Sequence, residues 1–237
     1  MPRLRRILLA ALVVLLVVGA GLYGGLAWYG ERVKDPSFFE EDIQAFEAET
    51  DLPEQPVLFV GSSSIRLWSS LEQDMAPLPV VNRGFGGSQM FHLVHFAERI
   101  VAPLQPRAVV VYAGDNDLDA STGKNAEVVL QDYQAFVASV RRLLPTAPIY
   151  YLSIKPSRLR WDRWPEMSRA NELISDWTRG DSQLHFIDIG PALLGQDGTP
   201  RKDVFLFDGL HLNEVGYAGW TKIVRPRLLA DLRPLAR

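Results

Sequence analysis

Four clusters in this chain carry residue types that could do chemistry together. Three serines, Ser62, Ser63 and Ser64, follow Gly61 directly after the apolar run Val57-Leu58-Phe59-Val60. A strand that passes through a glycine into a helix lifts a turn side chain above the sheet edge and aims backbone N–H groups beside it. A serine there is a candidate nucleophile. Far along the chain, Asp208 and His211 stand three residues apart in Phe207-Asp208-Gly209-Leu210-His211. One helical turn puts them on the same side, so the carboxylate can take the imidazole Nδ1–H and leave Nε2 as a base. Between these lie Gly84-Phe85-Gly86-Gly87-Ser88 and Gly114-Asp115-Asn116-Asp117, which offer backbone N–H groups and a side-chain amide. Each cluster alone has a plainer use as a serine-rich helix cap, a flexible glycine turn, an Asx-turn loop or a capped helix start. Together they supply a hydroxyl nucleophile, an oriented base and donors for an oxyanion, the parts that acyl transfer needs.

The elements that must position these groups follow from hydrophobic periodicity. Apolar runs at 57–60, 79–82, 108–113, 148–154 and 184–189 predict strands, and amphipathic spacing predicts helices near 64–72, 89–102, 125–144, 165–179 and 213–232. Near-continuous apolar strands alternating with such helices indicate an α/β fold with a parallel sheet covered on both faces. In these sheets ligands bind beyond the carboxyl ends of the strands, near a topological switch point. The serine, glycine and asparagine clusters each fall just after a strand, as does Lys155-Pro156-Ser157-Arg158 after the fourth. Asp208 and His211 come after the fifth strand and before the last helix. Unrelated turns would not require that coincidence.

In this order, Ser…Gly…Asn…Asp-x-x-His resembles the SGNH hydrolases, the GDSL-like lipases and esterases, over about residues 56–232. The likeness rests on Val57 to Ser63, on Asn82-x-Gly84-x-x-Gly87, on Gly114-x-Asn116-Asp117 and on Asp208-x-x-His211. It implies a flavodoxin-like three-layer α/β/α fold around a five-stranded parallel sheet. It also implies roles: Ser63 as nucleophile, Gly87 as an oxyanion N–H, Asn116 as the amide donor, His211 as base and Asp208 as its orienter. No cofactor and no metal are implied. Two positions depart from the family pattern. Gly-Asp-Ser reads Gly61-Ser62-Ser63 here, so the turn lacks its carboxylate and Ser64 becomes the alternative nucleophile. Gly87 is followed by Ser88, where an acidic residue is common.

Composition bounds the rest. An apolar share of 47% with 22% charged residues describes a globular chain rather than a disordered one. The absence of cysteine excludes disulfides, thiolate zinc sites and cysteine nucleophiles. After Arg3, Arg5 and Arg6, residues Ile7 to Tyr29 run for 23 positions without a charge, long enough for a membrane-crossing helix. Basic residues before it predict the amino terminus inside and the body outside the cytoplasm. Cleavage after Val18-Gly19-Ala20 would instead make the protein secreted. The expected organisation is a basic flank at 1–6, an anchor at 7–29, a connector with an amphipathic helix at 30–55, and the hydrolase domain at 56–237.

The net charge of −3 includes the three leading arginines, so residues 31–237 carry −6, which argues against a nucleic-acid partner. The expected partners are a small acyl ester and the membrane. His92 and His95 share a helix face but have no third ligand nearby, so a metal there is not expected. Trp161 and Trp164 could wall a substrate pocket, and Arg158, Arg160 and Arg163 could meet an anionic substrate or form a solvated face. The leading expectation is an anchored serine esterase for a glycan O-acetyl group or a short lipid acyl chain. Two others compete: a non-catalytic envelope module that kept the fold, and a phosphate cradle at Gly61–Ser64, which lacks the lysine of a P-loop.

Overall fold

The computed structural model describes residues 30–232 and isolated positions between 14 and 25, so the expected anchor at 7–29 lies largely outside it. Among the described residues no helix is long and apolar enough to cross a membrane. The chain divides into two units, residues 1–40 and 41–237.

Five parallel strands form one sheet: β1 (Val57–Gly61), β2 (Val80–Gly84), β3 (Ala108–Tyr112), β4 (Ile149–Leu152) and β5 (Leu184–Ile187). Their order is β2-β1-β3-β4-β5, and the helices are α1 (Glu40–Glu47), α2 (Ser63–Arg66), α3 (Leu71–Met75), α4 (Met90–Val101), α5 (Ala126–Leu143), α6 (Trp164–Thr178) and α7 (Glu214–Asp231). This is the flavodoxin-like, doubly wound order, in which the sheet changes direction of growth between β1 and β3. Both the serine turn and the asparagine loop leave the sheet at that switch point.

Burial explains the strand sequences. Every residue of β1, β3 and β4 is buried, which is why these strands read as unbroken apolar runs rather than alternating ones. One face of the sheet, with Val57, Phe59, Val110 and Tyr150, packs against α2, α3 and α7. On the other face Tyr151 meets Tyr133 of α5 with ring centroids 4.8 Å apart. In the second unit, salt bridges from Arg99 to Glu47 and from Arg83 to Glu49, both 2.7 Å, hold the end of α1 and the loop after it.

One expected helix is two. The stretch 64–72 breaks into α2 and α3 because Trp68 turns into the core instead of continuing the helix. Its indole stacks on Tyr217 at 5.3 Å, meets Trp220 edge-on at 5.7 Å and donates its N–H to Asp74 at 2.6 Å. Burying a tryptophan typically contributes about 3–5 kcal/mol, far more than the helix propensity of the intervening serines. Leu67, read as part of the apolar stripe, is left exposed.

Candidate active site

The serine turn is set by backbone crowding. Gly61 has φ +153°, and a Cβ there would sit 2.1 Å from the Tyr112 carbonyl oxygen, so only glycine fits. Just beyond it, Ser62 N–H donates to that same carbonyl at 3.1 Å, locking β1 to β3 up to the turn. The three serines then have three different fates. Ser62 is buried with no partner for its hydroxyl. The Ser64 hydroxyl, also buried, accepts from Lys155 Nζ at 3.0 Å, and its carbonyl accepts from Tyr217 OH at 3.0 Å. Ser63, the first residue of α2, is half-buried, and its Oγ lies 3.0 Å from His211 Nε2.

His211 is held from its other side. Its Nδ1 lies 2.6 Å from Asp208 Oδ2. The second carboxylate oxygen, Oδ1, accepts the backbone N–H of Leu210 at 2.9 Å and of His211 at 3.0 Å. Burial pushes the Asp208 carboxyl upward, but the His211 contact and these two N–H groups outweigh it and hold it below the usual carboxylate range. Two other aspartates, Asp188 and Asp203, are engaged elsewhere. Asp188 accepts from Ser153 and from Gly190 N–H, both at 3.0 Å, and Asp203 pairs with Arg201.

Asn82 staples the glycine loop to the serine turn. Its amide donates to the Ile65 carbonyl at 2.7 Å and accepts Gly84 N–H at 2.9 Å. Gly87 follows with φ +87°, a left-handed conformation that strains any residue with a Cβ. Asn116 reaches this loop, donating from Nδ2 to the carbonyl of Ser88 at 3.0 Å. Its neighbour Asp117 is buried and accepts the Met90 N–H at 3.1 Å and Lys124 Nζ at 3.0 Å, which ties the β3 loop to the start of α4. Burial raises the Asp117 carboxyl despite Lys124. Thus Ser63, His211 and Asp208 are joined directly, and Asn116 is joined to the loop carrying Gly87.

A buried ion pair behind the serine turn escaped the sequence. Lys155 is 1% exposed, and its Nζ donates to Asp115 Oδ2 at 2.7 Å, Tyr112 OH at 3.1 Å and Ser64 Oγ at 3.0 Å. Burial pulls the lysine down from its ordinary value. Burial also opposes ionisation of Asp115, but Lys155 and Arg160 overcome it and bring the carboxyl to about 2. The only signal was a lysine placed straight after an apolar strand.

The remaining candidate side chains make contacts of several kinds. His92 Nδ1 accepts the Gln89 N–H at 2.9 Å, closing a cap on α4. Among the described residues no cluster of three metal-binding side chains occurs. Trp161 and Trp164 stack on each other at 5.8 Å. Arg163 donates to the Leu118 carbonyl at 3.1 Å and Arg160 to Asp119 at 3.2 Å, while Arg158 is exposed.

A profile of the GDSL-like Lipase/Acylhydrolase family matches residues 60–218, from the last residues of β1 into α7. The chain belongs to this family. It is similar to the platelet-activating factor acetylhydrolase IB subunit alpha1 of Pongo abelii, with 30% identity over 78% of this chain and 80% of that one. Among solved structures it is similar to a putative platelet activating factor from Streptococcus pneumonia, with TM-score 0.71, 22% identity, and coverage of 80% of this chain and 92% of that chain. A carbohydrate esterase family 3 protein from Talaromyces cellulolyticus shares the fold, with TM-score 0.59, 16% identity, and coverage of 76% and 99%. This GDSL hydrolase is therefore an ester hydrolase on an α/β scaffold.

Proposed function

We propose that the chain is a membrane-anchored serine esterase that acts outside the cytoplasm on small or short-chain acyl esters. One observation carries the reading: the unbroken hydrogen-bonded line from Ser63 Oγ through both ring nitrogens of His211 to Asp208. As Ser63 Oγ attacks the ester carbonyl carbon, His211 Nε2 takes its proton and Asp208 balances the resulting imidazolium. The carbonyl oxygen becomes an oxyanion, met by the N–H groups of Ser63 and Gly87 and by Asn116 Nδ2. When the tetrahedral intermediate collapses, the C–O bond to the alcohol breaks and His211 returns the proton to the leaving oxygen. Water then attacks the acyl-serine with the same base, releasing the acid and restoring Ser63.

The acetyl group in the name of the mammalian relative and the carbohydrate ester of the fungal neighbour support an O-acetyl or short acyl substrate on a glycan or lipid. Phe207 and Leu159 are exposed beside Asp208 and Gly209, and offer an apolar rim to such a group. The uncharged run at 7–29 behind three arginines supports the anchor and its orientation.

The test is hydrolysis of p-nitrophenyl esters from acetate to decanoate by the unmutated chain and by Ser63→Ala. Turnover highest at two to four carbons and absent from Ser63→Ala is expected; turnover that survives Ser63→Ala would sink the serine mechanism. A carboxyl-terminal alkaline phosphatase fusion should be active and membrane-bound. An inactive alkaline phosphatase fusion, together with activity of a reporter that works only in the cytoplasm fused at the same position, would refute the orientation.

A further inference from the structure

We propose that Arg160 is a positioning residue of the oxyanion hole, fixing the Asn116 amide so that an N–H points at the reacting oxygen; this rests on the esterase reading above. An asparagine amide is nearly symmetric in shape but not in chemistry. Turned one way it donates to an oxyanion, and turned the other it presents a repelling carbonyl. Two neighbours of opposite character remove the choice here. The Ser88 carbonyl can only accept, so the atom 3.0 Å from it must be Nδ2. The Arg160 guanidinium can only donate, so the atom 3.0 Å from its Nη2 must be Oδ1. One N–H of Nδ2 is then spent on Ser88, and the second remains for the substrate. A cation on Oδ1 also polarises the amide and strengthens that remaining donor.

Arg160 is itself held by charge. Its Nε donates to Asp119 at 3.2 Å, and its Nη1 stands 3.6 Å from Asp115 Oδ2, a charge contact too long for a hydrogen bond. Asp115 is in turn bound by Lys155, whose Nζ reaches the Ser64 hydroxyl beside the nucleophile. Arg160, Asp115 and Lys155 therefore run in a line from the oxyanion amide to the serine turn, with Asp119 holding Arg160 from the side. The turn's missing carboxylate at Ser62 leaves a buried hydroxyl with no partner, and Asp115, arriving from the β3 loop, is the carboxylate that braces this region instead. The guanidinium is not offered to an anionic substrate: Nη2 and Nε are committed to Asn116 and Asp119, and Nη1, which makes no hydrogen bond, is buried 3.6 Å from Asp115.

The experiment is a double-mutant cycle on the full chain with p-nitrophenyl acetate, using Arg160→Met, Asn116→Ala and both together. Removing an oxyanion donor outright costs roughly 10²–10³ in turnover, so loss of its orienter should cost about 10–100-fold in kcat. KM should stay within about two-fold, because the contact strengthens only in the transition state. In the Asn116→Ala background the arginine substitution should cost less than about three-fold, since its effect passes through an amide no longer present. Arg160→Lys keeps the charge between Asp115 and Asp119, and should recover part of kcat in the same cycle. If Arg160→Met does not fold, the cycle is run with Arg160→Lys, whose smaller kcat loss should likewise vanish with Asn116→Ala. Equal losses in both backgrounds, or a raised KM with unchanged kcat, would overturn the proposal. Failure of the unmutated chain to show Ser63-dependent hydrolysis would instead remove the esterase reading and this inference with it.

Discussion

Asp208→Asn exchanges one carboxylate oxygen for an NH₂ group, and the surrounding contacts dictate where that group must go. The retained oxygen has two competing uses: the N–H groups of Leu210 and His211, at 2.9 and 3.0 Å, or the imidazole Nδ1–H at 2.6 Å. Backbone N–H groups can only donate, so the amide oxygen stays with them and Nδ2 faces His211. The imidazole must then accept at Nδ1 and carry its proton on Nε2, which faces Ser63 Oγ and can no longer take a proton. Reversing the amide would strand two donors at about 1–3 kcal/mol each, roughly 2–6 kcal/mol together. At about 1.4 kcal/mol per factor of ten, the productive tautomer falls to roughly one molecule in 30 to one in 10⁴. A fall in kcat of about 30-fold to 10⁴-fold is therefore expected, its upper end matching the ~10⁴ of the equivalent exchange in a serine-protease triad. Asp208→Ala presents no amide to Nδ1 and should retain more kcat than Asp208→Asn. Steady-state kinetics on p-nitrophenyl acetate decide it. An asparagine variant keeping more than about a tenth of kcat would refute the pairing, and an alanine variant worse than asparagine would refute the tautomer argument.

Three further outcomes follow from the same contacts. Ser62→Ala removes a buried hydroxyl with no partner and should leave the urea midpoint unchanged or raised, whereas Ser64→Ala takes an acceptor from Lys155 and should cost about 1–2 kcal/mol; both should keep turnover within about ten-fold. Asp115 has its folded pKa depressed from 3.8 to about 2, so the stability it contributes, about 2 kcal/mol, is present above pH ~4 and lost as pH falls toward 2. Unfolding midpoints measured across that window should drop, and a flat profile would contradict the ion pair. The His211 contact and two backbone N–H groups keep Asp208 charged well below neutrality, so this carboxylate should add no ionisation to the kcat/KM profile near neutral pH. A second acidic ionisation in that profile would count against an ionised Asp208.

The sheet was legible because its central strands are buried on both faces, which leaves no polar alternation to confuse the reading of Val57–Val60 or Ala108–Tyr112. The order of the clusters at strand ends was legible for the same reason, and Ser63, His211 and Asp208 meet where their types suggested. The break between α2 and α3 was not legible. Ile65, Leu67, Trp68 and Leu71 satisfy a helical period, and only the aromatic cluster around Trp68, including Tyr217 and Trp220, ends the helix. The Lys155–Asp115 pair joins residues 40 apart in sequence, and no local pattern announces a contact between two loops. Arg160 was visible only as one of three nearby arginines. Its value lies in partners on the β3 loop, Asn116 and Asp119, which the fold alone brings to it.

Covalent capture of the nucleophile tests the central claim most directly. The full chain is treated with a fluorophosphonate, digested, and the adduct located by peptide mass. A single adduct on Ser63 is expected, absent from Ser63→Ala and formed far more slowly by His211→Ala, because of the three serines it is Ser63 whose Oγ lies 3.0 Å from His211 Nε2. An adduct on Ser62 or Ser64, or undiminished labelling of the Ser63→Ala chain, would contradict a nucleophile at Ser63.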